Sequence, residues 1–118
     1  MQRFTDLQVW QRAHAWVLAV YRLSAAFPPQ EQYGLTSELR RSSRSVPSNI
    51  AEGSKRKTNR DYAHFLNIAE ASLSEAEYQL ILARDLGYVT AEQTTPVLAE
   101  AQEIAPMLFR LRTKVERG

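Results

Sequence analysis

Apolar residues recur along this 118-residue chain at three- and four-residue spacings in four separate stretches. The clearest is Tyr62, Leu66, Ala69, Leu73, Ala76, Leu80 and Ala83, spaced 4-3-4-3-4-3, a heptad seam in which large and small residues alternate. Val97, Ala101, Ile104, Leu108, Leu111 and Val115 repeat the spacing as 4-3-4-3-4. Each run predicts a long amphipathic helix, and one over 61–86 would span about 39 Å at 1.5 Å per residue. Thr58 or Asn59 is placed to cap the earlier helix, and Gly87 is a natural residue just past its end. Thr90-Ala91-Glu92-Gln93 has the form of a capping box and opens the later helix. Pro106 has no N–H for the carbonyl of Gln102, which predicts a bend between those residues.

Two further helices precede these. The first is expected to start at an Asp6 N-cap, run to about Ala26 and stop at Phe27-Pro28-Pro29. It carries two apolar stripes: Trp10, Ala13, Val17, Tyr21 and Ser24, and then Val9, Trp16 and Leu23. One core face does not need both. Either the helix is deeply buried or one stripe faces another subunit, and Val9, Trp16 and Leu23 are the candidate oligomer interface. The second helix starts near Leu35 or Thr36, turns Leu39, Ser43, Val46 and Ile50 inward, and directs Arg40, Arg41 and Arg44 away. Pro47 should kink or interrupt it, with Asn49 satisfying the backbone groups freed and Glu52 pairing with a nearby arginine or capping the next helix. Gly53 to Asn59 reads as a turn. No strand-like alternation occurs, so residues 1–118 are expected to form a single all-α domain, an antiparallel up-down-up-down four-helix bundle packed at about 20°.

Charge changes the picture more than composition does. The chain nets only +2, yet residues 40–60 hold Arg40, Arg41, Arg44, Lys55, Arg56, Lys57 and Arg60 against the single acid Glu52. Such a cluster can contact the phosphates of RNA or DNA, or form a solvated or subunit-facing surface. Aromatic residues are not interleaved with these charges as a single-strand stacking platform would require. Cysteine is absent, which excludes disulfides, thiol nucleophiles and thiolate metal sites. No uncharged apolar stretch is long enough to span a membrane and no signal core follows the start, so the expected location is cytoplasmic. Asp61-Tyr62-Ala63-His64 is half of a bundle metal motif with Asp in place of Glu, and the residue three before His14 is not a carboxylate; no metal and no cofactor is expected. Glu70, Glu75 and Glu77 are read as a solvated face or as partners of arginines on a neighbouring helix. There is no phosphate-binding loop and no nucleophile motif, and no catalytic residue is assigned.

Several segments resemble a known family. They are Phe4-x-x-Leu7-x-Val9-Trp10-Gln11-x-Ala13, Phe27-Pro28 with Tyr33-Gly34-Leu35, and Leu39-Arg40-Arg41 leading to Ser45-Val46-Pro47-Ser48-Asn49-Ile50-Ala51-Glu52-Gly53. Phe65-Leu66-x-Ile68-Ala69, Ser72-Leu73-x-Glu75 and Leu86-Gly87-Tyr88 continue the likeness, which covers roughly residues 4 to 90. These residues are similar to bacterial four-helix-bundle proteins first noticed as reading frames in intervening sequences of large-subunit ribosomal RNA genes. The resemblance implies a four-helix bundle, a ring-shaped homopentamer and no enzymatic activity. It also relates the chain to accessory proteins of diversity-generating retroelements, which bind a reverse transcriptase and nucleic acid. Pro47, Asn49, Glu52 and Gly53 stand in the family's central motif, in a structural or functional role. Two positions depart from the pattern: Ala71, where Gly is common, narrows the room for helix approach, and Glu38, where Gln is common, sets a negative charge beside the basic face. The expected function is that of an oligomeric accessory or scaffold protein contacting nucleic acid; the alternative is a protein–protein adaptor.

Overall fold

A computed structural model describes residues 3–118. Four helices build it: α1 (Gln8–Ser24), α2 (Leu35–Gly53), α3 (Asn59–Asp85) and α4 (Ala91–Arg117). Each packs on the next, and α4 returns onto α1, closing an up-down-up-down bundle of 45 × 25 × 19 Å. No strand occurs among the described residues. Along α3 the seam from Leu66 to Ala83 is buried, and along α4 burial runs from Val97 to Leu108. Leu111 and Val115 are only half-buried, so the last two turns of α4 emerge from the core.

The helix ends follow local chemistry. The Thr58 hydroxyl accepts from the Asp61 N–H at 3.1 Å. Thr90 and Gln93 exchange reciprocal side-chain-to-backbone bonds of 3.0 Å. Gly87 adopts φ +81, which lets the Tyr88 N–H reach the Ala83 carbonyl and its own N–H reach that of Arg84, both at 3.0 Å.

Several expectations are corrected. Asp6 lies in a 3₁₀ turn, Phe4–Asp6, and α1 begins after an extended Leu7 without a side-chain cap. Helix α1 ends at Ser24, before Ala26, because the chain tightens to turn Phe27 inward against Tyr88. Val9 and Trp16 belong to the core of the single chain. Trp16 is 1% exposed and donates its indole N–H to the Val97 carbonyl of α4 at 3.2 Å, and Leu23 is half-buried beside it. Val9 and Trp16 are thus covered within the chain itself, because α1 touches both α2 and α4 and needs two apolar stripes for that. Pro47 does not interrupt α2, and α4 runs unbroken through Pro96 and Pro106. Asn49 does not serve the carbonyl of Ser43, the one that loses its donor at Pro47. Its amide donates instead to the Ser45 carbonyl and hydroxyl, at 2.7 and 2.8 Å.

Two motif residues, Ser45 and Gly53, lie where α2 packs on α3. Ser45 and Ser72 share a hydroxyl hydrogen bond of 2.8 Å, and the Ser42 hydroxyl donates to Gln79 at 2.6 Å in the buried interface. A Cβ on Gly53 would stand 2.8 Å from Cβ of Phe65 and 3.0 Å from the Tyr62 ring. Only the absence of a side chain allows this approach, which fixes where the α2–α3 turn leaves the bundle.

Candidate functional site

The basic window is not one surface. Arg40 is half-buried: its guanidinium donates to the Ser24 hydroxyl at 2.8 Å and to the Tyr21 carbonyl at 3.2 Å, and lies 4.6 Å from the Tyr21 ring centre. It binds the C-terminal end of α1, where the helix dipole favours a cation, adding a charged donor to a Tyr21 carbonyl that already accepts from the Ala25 N–H. Arg44, one turn on, is exposed and donates to the Tyr21 hydroxyl at 2.6 Å. Arg41 is exposed and enters no ion pair among the described residues.

Helix α2 runs on for nine residues past Arg44, about 14 Å at 1.5 Å per residue, and the second group follows its end at Gly53. Lys55, Arg56, Lys57 and Arg60 are all exposed where α2 passes into α3. Arg56 is engaged, pairing with Glu52 at 2.9 Å and covering the Phe65 ring at 4.5 Å. Glu52 is thus an exposed partner one helical turn away, a contact that contributes little to stability. Lys55, Lys57 and Arg60 enter no ion pair among the described residues, and no part of α1's end reaches them.

Sequence order conceals which other cations join this end. Helix α4 finishes beside the start of α3: a Cβ on Gly118 would lie 3.6 Å from the Asn59 amide. Arg110, Lys114 and Arg117 therefore stand at the same end of the bundle as the α2–α3 turn, exposed, at spacings of four and three that place them on one face of α4. No charge count over a contiguous window joins them to the α2–α3 turn, because the topology alone brings together residues about fifty positions apart. Arg112 differs. It binds Glu70 of α3 and Glu116 one turn along α4, and the two carboxylates hold its guanidinium more firmly protonated than usual. Glu70 is so accounted for as the partner of a neighbouring helix. Arg60, Ala63, His64 and Asn67 of α3 and Arg112 and Glu116 of α4 line a polar groove of about 490 Å³.

A second groove of about 410 Å³ runs between α1 and α2 and is mostly apolar. Trp10, His14, Val17, Leu18 and Tyr21 form one wall; Pro47, Ser48 and Ala51 of the central motif form the other, with Arg44 at the rim. Trp10 and His14 stack at 5.2 Å, and Leu18 is 46% exposed. The open apolar surface of α1 is therefore made by Trp10, Leu18 and Tyr21, not by Val9 and Trp16.

At the opposite end, one Glu31 oxygen accepts the Leu35 N–H at 3.0 Å and caps α2, while the other accepts the Tyr88 hydroxyl at 2.7 Å. Those bonds lower the Glu31 carboxyl below its ordinary range and raise the Tyr88 phenol. Among the described residues no three His, Cys, Asp or Glu side chains converge as metal ligands, and no helix is long and apolar enough to cross a membrane.

Comparison with known proteins adds two findings. A family model for the 23S rRNA-intervening sequence protein matches residues 5–110. A crystal structure of a protein of unknown function from the S23 ribosomal protein family of Bacteroides thetaiotaomicron superposes with a TM-score of 0.81 at 25% identity, covering 88% of this chain and 97% of that one. No curated protein matches.

Proposed function

The chain belongs to the 23S rRNA-intervening sequence protein family, and from that premise we propose that it is a non-catalytic accessory protein that self-assembles and holds nucleic acid by its basic end. The observation that carries this reading is the exposed trio Lys55, Lys57 and Arg60, free of ion pairs among the described residues, in and just after the turn that follows the close approach at Gly53. Free cations release counterions when they meet phosphates, whereas cations already paired gain less. Arg40 is assigned to the fold. Among the described residues no fully buried side-chain nitrogen or oxygen lacks a hydrogen-bond partner, which suits a scaffold whose interior is given over to packing.

The same reading assigns the α1–α2 groove to a second copy of the chain. Its rim is cationic at Arg44, with the exposed Arg41 one turn before it on α2. The surface of α3 around Ser74, Tyr78 and Ile81 is complementary: Tyr78 is 61% exposed, and Glu75 and Glu77 flank it. The two are different surfaces of one molecule, so their contact is head-to-tail and closes into a ring when the rotation allows. The family resemblance implies a ring of five. Arg41 and Arg44 then serve assembly, and the nucleic-acid contact falls to the α2–α3 turn.

Two measurements test this. Light scattering on a sizing column should give several times 13.5 kDa, with Leu18→Glu and Tyr78→Arg each returning the monomer; a wild-type monomer at micromolar concentration overturns the assembly. RNA and DNA binding at about 50 mM salt should be detectable and steeply salt-dependent; undetectable binding overturns the accessory role and leaves the adaptor alternative.

A further inference from the structure

We propose that the last two turns of α4 are the second half of the nucleic-acid site, and that the completed site takes the phosphate backbone of a duplex. The inference rests on the reading of the basic end given above. Arg110, Lys114 and Arg117 form a row of exposed cations free of ion pairs among the described residues, at about 6 and 4.5 Å along the helix axis. They share the bundle end with Lys55, Lys57 and Arg60. The cross-section there is at most about 25 × 19 Å, so six free cations crown a small area. The two groups come from opposite parts of the chain, and neither has an acid assigned to it. Where α4 does carry an acid in these turns, Glu116, it is engaged by Arg112, and that pair faces the α3 side of the helix.

The half-burial of Leu111 and Val115 fits the same role. These turns contribute less to the core than the seam above them does, yet they stay helical to Arg117. Helix keeps the three cations on one line, as a run of backbone contacts requires.

The choice of duplex follows from what is missing beside the charge. Single-strand sites stack bases on aromatic faces. Here the Phe65 ring lies beneath Arg56 at 4.5 Å, and Phe109, with Arg112 at 5.3 Å from its ring, is the one phenylalanine of the two that is largely open, at 53% exposure. Tyr62 is half-buried against the core. What remains is six cations and a single open ring, Phe109, rather than the row of rings that successive stacked bases need, which suits recognition of a double helix by its backbone and shape.

The test uses the full-length protein and a fluorescent 20-base-pair RNA duplex, with its single strand as competitor. Affinity is measured across a salt series for wild type, for Arg110→Glu/Lys114→Glu/Arg117→Glu, for Lys55→Glu/Lys57→Glu/Arg60→Glu, and for Arg22→Glu as a net-charge control at the other end. Six phosphate contacts give a slope of log affinity on log salt of about −5, and losing three halves it. The expected result is a loss of roughly tenfold or more for each triple variant, little change for the control, and poor competition by the single strand. Neutral Gln replacements at the same α4 positions should give a smaller loss of the same kind, and circular dichroism confirms the fold of each. If the turn variant loses binding while the α4 variant keeps wild-type affinity and slope, the α4 half is wrong and the earlier reading stands. Preference for the single strand overturns the duplex assignment. No binding by wild type overturns both.

Discussion

Arg40 and Lys57 carry the same charge in one short basic window, yet one is built into the fold and the other projects from it. Arg40 faces the carbonyl end of α1, with Tyr21 and Ser24 as its partners. Lys57 stands in a turn beyond the last residue of α2 and has no such neighbour. The difference teaches that charge density along a sequence identifies neither a surface nor a function. What each cation faces decides whether its energy goes into holding helices together or stays available for a ligand.

Substitutions sharpen or break this contrast, and the largest effect belongs to the residue that sets where the free half emerges. Gly53→Val drives a side chain into Phe65 and Tyr62, and chemical denaturation should show a loss of about 3 kcal/mol. A near-neutral result means that α2 and α3 are not held this closely. Arg40→Ala should cost about 2 kcal/mol, since it leaves the α1 end without its charged donor, while RNA affinity is unchanged. Unaltered stability with weakened binding would erase the distinction. Tyr21→Phe removes only the hydroxyl that Arg44 uses and keeps the ring and carbonyl that Arg40 uses, so about 0.5–1 kcal/mol is expected. Lys57→Ala should stay within about 0.5 kcal/mol of wild type.

A pH series extends the contrast to the far end of the bundle. Folding lowers the Glu31 carboxyl, so as pH falls the unfolded chain takes up that proton first. The stability Glu31 supplies is therefore complete above the ordinary carboxylate range and is lost as pH drops through the lowered folded value. Glu31→Gln should flatten the acid limb of a melting-temperature profile. An unchanged limb would mean that the contacts to Leu35 and Tyr88 do not bind the carboxylate preferentially.

Much of the fold is legible in the sequence because local rules dominate it. The heptad seams of α3 and α4, the Thr58 cap, the Thr90–Gln93 box and the Gly87 stop each depend on residues within a turn or two. The errors are of another kind. Asp6 has the right chemistry for a cap, but a 3₁₀ turn places it ahead of the helix. Val9 and Trp16 look surplus until α4 is known to return onto α1. Pro47 reads as a break, and burial among neighbouring helices overrides it. The candidate site was legible only as composition. Its division at Arg44 depends on the end of α1, and its extension to Arg110, Lys114 and Arg117 on where α4 finishes. Those are long-range facts that spacing does not carry.

The most direct test compares the salt dependence of RNA affinity for wild type, Arg40→Ala and Lys55→Glu/Lys57→Glu/Arg60→Glu in one buffer series. The expected result is a shared steep slope for wild type and Arg40→Ala, with both slope and affinity collapsing only in the turn variant. Equal losses in the two variants, or none in the turn variant, would contradict the division of the basic window into a structural half and a binding half.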